Sequence, residues 1–383
     1  MFKDILKVIN SKYNLEAVFN ETLLTVTLPN GSVIYLFGID SSPDEAEKIL
    51  GQKFKLIVVD EAGSLHYNLR EIVRKIIRPT LIDLKGTLVL TGTPTDLTTG
   101  LFYDVTTDKE KGWSVHKWSA LKNPFIASEF KEEMDSLIEA DPNVVLSPYF
   151  KQMYLGEWTI NTERLVYKFD ESRNYYDELP EADYHYVMGI DLGYEDATSF
   201  SVGAYSQYDN NLYILESFKQ KHLLLSDVER IITDLRRKYN VCKFVIDNAG
   251  KQSVEEMKHR TGIPLEAADK TDKNNFIEIM NNDFRNGHIK LQRIMCKGLA
   301  TEYLALIWDI DELTGKRKEH SLCDNHEADG TLYLWRHCYQ YLSVPKVNKP
   351  RITRRPDIDV VEDWWETQDK IIEAQKRLAK DDF

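Results

Sequence analysis

The sequence predicts an α/β protein with a short parallel-sheet unit followed by a larger domain, a central mixed sheet flanked by helices. Three observations carry this. The apolar run Phe54 to Val59 ends in Asp60-Glu61, and a second apolar run, Gly86 to Leu90, follows after a stretch with helical spacing. The strand Tyr186 to Asp191 precedes two more alternating strands. A further strand, Cys242 to Ile246, follows an amphipathic helix and also ends in an acid, Asp247. Strands separated by helical crossovers are the pattern of sheets covered by helices.

The bulk numbers fit two or three domains. There are 383 residues, 42% hydrophobic and 29% charged, as in ordinary globular chains. No apolar run reaches the ~18 residues of a membrane span, and the N-terminus lacks the apolar core of a signal peptide. Four cysteines suggest a reducing setting, not a disulfide framework. A net charge of −13 excludes a protein that is basic throughout, yet local patches can still hold nucleic acid. Such patches occur at Arg236-Arg237-Lys238, Lys316-Arg317-Lys318 and Arg351 to Arg355.

In chain order, Leu23 to Leu28 and Val33 to Phe37 alternate around Pro29-Asn30-Gly31, a hairpin signal, and Pro43 to Leu50 has helical character. The strand ending at Asp60-Glu61 has the form of a Walker B motif, in which Asp serves Mg²⁺ and Glu the attacking water. Asn68 to Leu84 supplies the crossover to Thr91-Gly92-Thr93-Pro94, small hydroxyl residues placed to sense a terminal phosphate. No Gly-x-x-x-x-Gly-Lys-Ser/Thr loop occurs, so either another polypeptide provides the seat for ATP or the segment is a remnant. A helical stretch from Phe130 to Leu155, broken at Pro142 and Pro148, leads to Tyr154-Leu155-Gly156-Glu157-Trp158. The expected divisions are 1–157, a linker 158–184, the larger domain 185–345 and a charged tail 346–383 with a helix from Trp364 to Leu378.

The larger domain opens with an acid-bearing strand and a hairpin, the start of an RNase H-like arrangement. Leu225 to Tyr239 presents Val228, Ile231, Ile232 and Leu235 on one face and feeds the strand that ends at Asp247. A right-handed crossover sets that strand beside the first, and two neighbouring carboxylates repel unless a cation sits between them. Lys270 and Lys273, at the start of the helix Asn274 to Asn286, are candidate phosphate contacts. The cluster Asp324-Asn325-His326-Glu327-Ala328-Asp329 runs into the helix Thr331 to Leu342 and offers a third acidic corner. A zinc reading of Cys323, His326, His337 and Cys338 is disfavoured, because residues 337 and 338 point to different helix faces. Asp191, Asp247 and either His326 or Asp329, with Asp324 as a further choice, would hold two Mg²⁺ or Mn²⁺ ions about 4 Å apart.

Together these motifs resemble the large terminase subunit of tailed bacteriophages, an ATPase motor joined to an RNase H-like nuclease. Asp60-Glu61 matches its Walker B motif and Thr91-Gly92-Thr93-Pro94 its coupling motif. Gly189-Ile190-Asp191-Leu192-Gly193 with Asp196, and Val245-Ile246-Asp247, match its first two nuclease motifs, and His326 to Tyr333 resembles the last. The resemblance covers roughly residues 35 to 342. It implies a metal-dependent endonuclease that cuts concatemeric double-stranded viral DNA in the cytoplasm of an infected bacterium and is not a lasting part of the virion. It also implies a portal protein and a small terminase subunit as partners. ATP would be used only with a separate chain carrying the Walker A loop. The competing readings are a stand-alone RNase H-fold nuclease or resolvase, and a catalytically dead scaffold that binds DNA or a motor.

Overall fold

The computed structural model describes residues 5–39, 46–65, 68–125, 127–247, 250–311 and 314–343. The basic cluster Arg351 to Arg355 and the tail helix fall outside these residues, as do positions 43–45 of the expected helix Pro43 to Leu50.

Alternation in the first segment gives a three-stranded antiparallel sheet, β1 (Val18–Asn20), β2 (Thr25–Thr27) and β3 (Val33–Tyr35), with β2 and β3 joined at the expected Asn-Gly turn. The run before Asp60 becomes β4 (Leu56–Val59), parallel to β5 (Thr87–Leu90) with Val59 opposite Leu90. The crossover between them is helical in three consecutive pieces, Leu69–Ile72, Val73–Ile77 and Arg78–Leu81. Its Leu69, Ile72, Val73 and Ile77 pack with Leu101, Phe102 and Val105 into one core. Leu56, Val58 and Val89 nevertheless stay exposed, although parallel strands are usually covered on both faces.

The larger domain is a seven-stranded sheet. Its strands are β6 (Tyr175–Tyr176), β7 (His185–Asp191), β8 (Thr198–Tyr205), β9 (Leu212–Gln220), β10 (Lys243–Ile246), β11 (Leu265–Ala267) and β12 (Ile289–Gln292). The spatial order is β11-β10-β7-β8-β9-β12-β6. Strand β8 runs antiparallel to both β7 and β9, while β10 and β11 run parallel to β7. Three antiparallel strands followed by two parallel ones beside the first strand make the RNase H-like order that the sequence predicts. A two-stranded ribbon, β13 (Trp308–Ile310) with β14 (Arg317–Glu319), lies outside the sheet.

Two apolar cores lie on the two faces of this sheet. The helices Leu225–Tyr239 and Lys251–Thr261 cover one face through Val228, Ile232, Val254 and Met257. The helices Lys273–Asn286, Lys297–Ala305 and His326–Leu342 cover the other through Phe284, Tyr303 and Trp335. Each fully buried side chain of that size contributes roughly 1.5–3 kcal/mol. Strand residues alternate between faces, so Val187 and Asp191 point to the second core while Met188 and Ile190 point to the first. Gly189, between Val187 and Asp191, lies directly under the helix His326–Leu342: a Cβ there would lie 1.9 Å from the Gly330 carbonyl oxygen.

The linker 158–184 packs against the larger domain: Val166, Tyr167 and Phe169 belong to its core, and β6 pairs with β12. One element differs from the expectation. The last helix begins at His326, a turn before Thr331, where the Ala328 N–H finds an acceptor in the Glu302 carboxylate. Arg164 ties the two units together. Its Nη1 lies 2.8 Å from Asp96 Oδ2, and its Nη2 donates to the Trp308 carbonyl at 3.0 Å.

Candidate active site

The site forms where β7 and β10 end. The register pairs Ile246 with Ile190, and Asp247 N–H donates to the Ile190 carbonyl at 2.9 Å, so the next pair sets Asp247 opposite Asp191. Val187 and Val245 lie in the core beneath this edge, so period-two alternation places both carboxylates on the same face. They are 9% and 5% exposed. Burial at this level requires donors or cations around each.

The last helix supplies part of that requirement. His326 Nδ1 lies 3.4 Å from Asp191 Oδ2, and Tyr333 donates its hydroxyl to Asp191 Oδ1 at 3.3 Å. Positions 326 and 333 are seven residues apart and therefore share one helix face. The hydrogen bond to Asp191 raises the His326 imidazole above its ordinary value, against an opposing effect of burial. Burial, followed by the charges of Asp329, Asp191 and Asp247, raises the Tyr333 phenol. Lys270 reaches Asp247 from the loop after β11, with Nζ 2.7 Å from Oδ1.

Asp329 shares the helix face but has other neighbours. Lys273 Nζ lies 2.6 Å from Asp329 Oδ1 and 2.8 Å from Glu319 Oε2. The Asp329 contact is an ion pair outside hydrogen-bond geometry, since this oxygen accepts no hydrogen bond. Asn325 Nδ2 also donates to Glu319, at 2.7 Å. Burial pushes the Asp329 carboxyl up to about 7 despite Lys273. Burial lowers Lys273, but the charges of Asp329 and Glu319 outweigh it and leave the ammonium above its ordinary value. Lys273, expected at a DNA phosphate, is thus held inside the protein.

A second group of polar contacts seats the helix start. Glu302 Oε2 accepts the Ala328 N–H at 2.9 Å, and its Oε1 lies 2.7 Å from Lys219. Lys219 also reaches Asp324, at 2.8 Å. A buried carboxylate here satisfies an N–H that the helix cannot and meets the positive end of the helix dipole. Ser199 donates to the His326 carbonyl at 2.6 Å. Thr331, Ser201, Ser217 and Glu327 continue as a buried chain of hydrogen bonds at 2.8, 3.0 and 2.7 Å.

The other candidates fall as follows. Asp324 is held by Lys219 and largely exposed. Asp196 is exposed and lines a cleft of about 410 Å³ that also meets Ala62, Gly63 and Asp324. Among the described residues no three His, Cys, Asp or Glu side chains converge as a ready-made metal cage, and the four cysteines are free. Lys238 pairs with Glu216, Arg317 with Glu278 and Lys318 with Asp309. No described helix is long and apolar enough to cross a membrane.

Tyr333 is absent from the ligand set that the sequence suggests, as are Glu302, Glu319 and Lys219. The seven-residue spacing from His326 could have identified Tyr333. The other three lie on separate elements, with no local signal to connect them.

In the first unit, Thr91 donates its hydroxyl to Asp60 Oδ1 at 2.6 Å, and Ala62 N–H donates to the Thr91 carbonyl at 2.8 Å. A Cβ at Gly92 would meet Ala62 N at 3.1 Å. The Asp-Glu and Thr-Gly-Thr-Pro motifs therefore form one corner, with Asp60 and Glu61 exposed and Glu61 at a positive φ of 51°.

No family model matches the chain. The terminase large subunit of Escherichia phage T5 is 21% identical over 315 residues, 80% of this chain and 68% of that protein. Similar solved structures include the HK97 bacteriophage large terminase, 11% identical at TM-score 0.42, covering 87% of this chain and 80% of that one. The large terminase of a thermophilic bacteriophage is 16% identical at TM-score 0.40, with 86% and 81% covered. The Mn-bound nuclease domain of the SPP1 large terminase is 20% identical at TM-score 0.34, with 40% and 86% covered. The T5 likeness spans both units and agrees with the ordered motifs: the chain is a relative of the large terminase subunits of tailed bacteriophages.

Proposed function

We propose that the chain is the nuclease-bearing part of a packaging enzyme, a metal-dependent endonuclease that cuts concatemeric viral DNA at the β7–β10 edge. The observation that carries the reading is the pair Asp191 and Asp247, buried side by side at the ends of parallel strands. The donor set fits hard divalent cations: two carboxylates with an imidazole beside them. Asp191 and Asp247 would hold two Mg²⁺ or Mn²⁺ ions, with His326 or Asp329 completing the set. Bound there, such ions supply an activated water and neutralise charge at the leaving 3′ oxygen. His326 and Tyr333 orient Asp191, and Ser199 and Glu302 fix the helix that carries them.

The Asp60–Thr91 corner is proposed to act in ATP hydrolysis together with a phosphate loop contributed by a complementing chain. The support is the exposed apolar side chains of β4–β5, which a neighbouring element would cover. The proposed partners are double-stranded DNA, the portal, a small terminase subunit and that complementing chain, all within the cytoplasm of the infected host. The proposed domain limits remain 1–157 and 185–345, with the stretch between them packed onto the second.

The test is cutting of plasmid DNA with Mg²⁺ or Mn²⁺ by the purified chain. Activity should disappear in Asp191→Ala and Asp247→Ala; equal cutting by either variant and the parent would refute the assignment. Capture of a phosphate-loop protein or a portal would separate a packaging role from a stand-alone resolvase.

A further inference from the structure

We propose that Lys270 is the built-in counter-cation of the carboxylate pair: its ammonium holds Asp247 until a metal ion arrives, and it must then leave for a DNA phosphate. The inference rests on the proposed role of Asp191 and Asp247 as metal ligands. It goes further in coupling metal binding and DNA binding through one side chain.

The geometry points to this in three ways. Lys270 Nζ is 2.7 Å from Asp247 Oδ1 and 5.5 Å from the Tyr333 ring centre, so it stands over the same corner as the carboxylates and the phenol. The loop that carries it is fixed. Arg336, whose side chain is 6% exposed, reaches Asp269 at 2.7 Å and donates to the Thr271 carbonyl at 2.9 Å. Asp269 in turn accepts the Thr271 N–H at 2.9 Å. The position of the Lys270 backbone is therefore built, while its side chain remains 48% exposed and has a route to solvent.

Charge supplies the consequence. A divalent ion on Asp247 would face an ammonium at contact distance, and like charges that close repel strongly even in a partly solvated site. Lysine is a point charge on a flexible stem, so the ammonium can swing out while the loop stays in place. Free in solution it gains only water; with DNA bound it gains a phosphate. Metal should therefore bind more tightly in the presence of DNA, and by linkage DNA more tightly in the presence of metal.

The experiment is a calorimetric Mn²⁺ titration of the full chain, alone and with a short phosphorothioate duplex that resists hydrolysis. Lys270→Met should bind Mn²⁺ at least about threefold more tightly than the parent without DNA, the scale of a half-exposed ion pair. Its affinity should also gain less from the duplex. Lys270→Arg keeps the charge and should stay closer to the parent than Lys270→Met. Thermal melts show that both variants are folded, and damage to the site would lower affinity, the opposite direction. Unchanged or weaker Mn²⁺ binding by Lys270→Met would overturn the proposal while leaving the carboxylate reading intact. Mn²⁺ binding that survives Asp247→Asn would overturn both.

Discussion

Replacing Gly189 by alanine should damage the protein out of proportion to one methyl group. The new Cβ would sit 1.9 Å from the Gly330 oxygen, 2.9 Å from the Gly330 carbonyl carbon and 3.1 Å from Leu334 Cβ. Comfortable C···O contacts begin near 3.3 Å, so strand and helix must separate by about 1.4 Å. The obstacle is helix backbone, which no rotamer change can move. Overpacking typically costs ~1–3 kcal/mol; a rigid obstacle puts Gly189→Ala at about 3 kcal/mol. At roughly 2–4 °C per kcal/mol for a domain of this size, the melting temperature should fall by some 6–12 °C. The displaced helix carries His326 and Tyr333 away from Asp191, and misplacement by ~1 Å costs on the order of 10²-fold in rate. Gly203→Ala is the internal control. Its Cβ would meet Leu334 Cδ1 at 2.9 Å and Leu212 Cδ1 at 3.3 Å, both ends of flexible side chains, so about 1 kcal/mol or less is expected. Thermal melts and plasmid cutting on the two variants decide it. If Gly189→Ala melts within a degree or two of Gly203→Ala and cuts as well, the seating of the helix on β7 is wrong.

Other outcomes follow from the same contacts. Glu302→Ala should cost about 2–3 kcal/mol in urea unfolding, since it leaves the buried Ala328 N–H unsatisfied and deprives Lys219 of a partner. Arg164→Ala removes the Asp96 ion pair and the bond to the Trp308 carbonyl; about 1–2 kcal/mol and faster limited proteolysis near residue 160 are expected. Acid should weaken the fold through His337 and His185, both lowered by burial. A folded-state pKa below the ordinary value means that the unfolded chain binds more protons, so this stability is present above about pH 6.5 and is lost as pH falls below it. His326 shifts the opposite way, so the informative comparison is between parent and variant. Between pH 7.5 and 5.5 the melting temperature of His337→Gln should fall less than that of the parent.

What the sequence made legible was local. An apolar run ending in an acid is visible as a strand end, and both Asp191 and Asp247 were found that way. Their proximity followed from crossover handedness, because β10 had one favoured place to join β7. The amphipathic helix Leu225–Tyr239 shows its period over 15 residues. The partners of these elements were not legible, since they depend on long-range packing. Lys219 and Glu302 are 83 positions apart, and neither stretch marks the other. Within the linker 158–184 the strand β6 carries no sequence signal, because it is only two residues long, too short for alternation to register. Tyr167 and Phe169 nonetheless carry it into the core.

The two lysines that looked equivalent in sequence have become different kinds of residue, and so have the two candidates for the third ligand. Lys273 lies between Glu319 and Asp329 with a side chain 29% exposed; Lys270 is 48% exposed and meets Asp247. A cation that is both enclosed and shared by two carboxylates has no cheaper place to go, since withdrawing it would leave Asp329 and Glu319 facing each other in a buried site. Lys270, when it swings out, leaves the Asp191–Asp247 pair, whose charge the proposed metal ions would take over. The same asymmetry bears on the last helix: His326 faces Asp191 directly, while Asp329, one turn on, is already neutralised by Lys273. The helix thus presents one side chain free to turn toward an arriving cation and one committed to holding the Lys273–Glu319 corner. On that physical ground His326 is the better placed of the two to complete the set begun by Asp191 and Asp247.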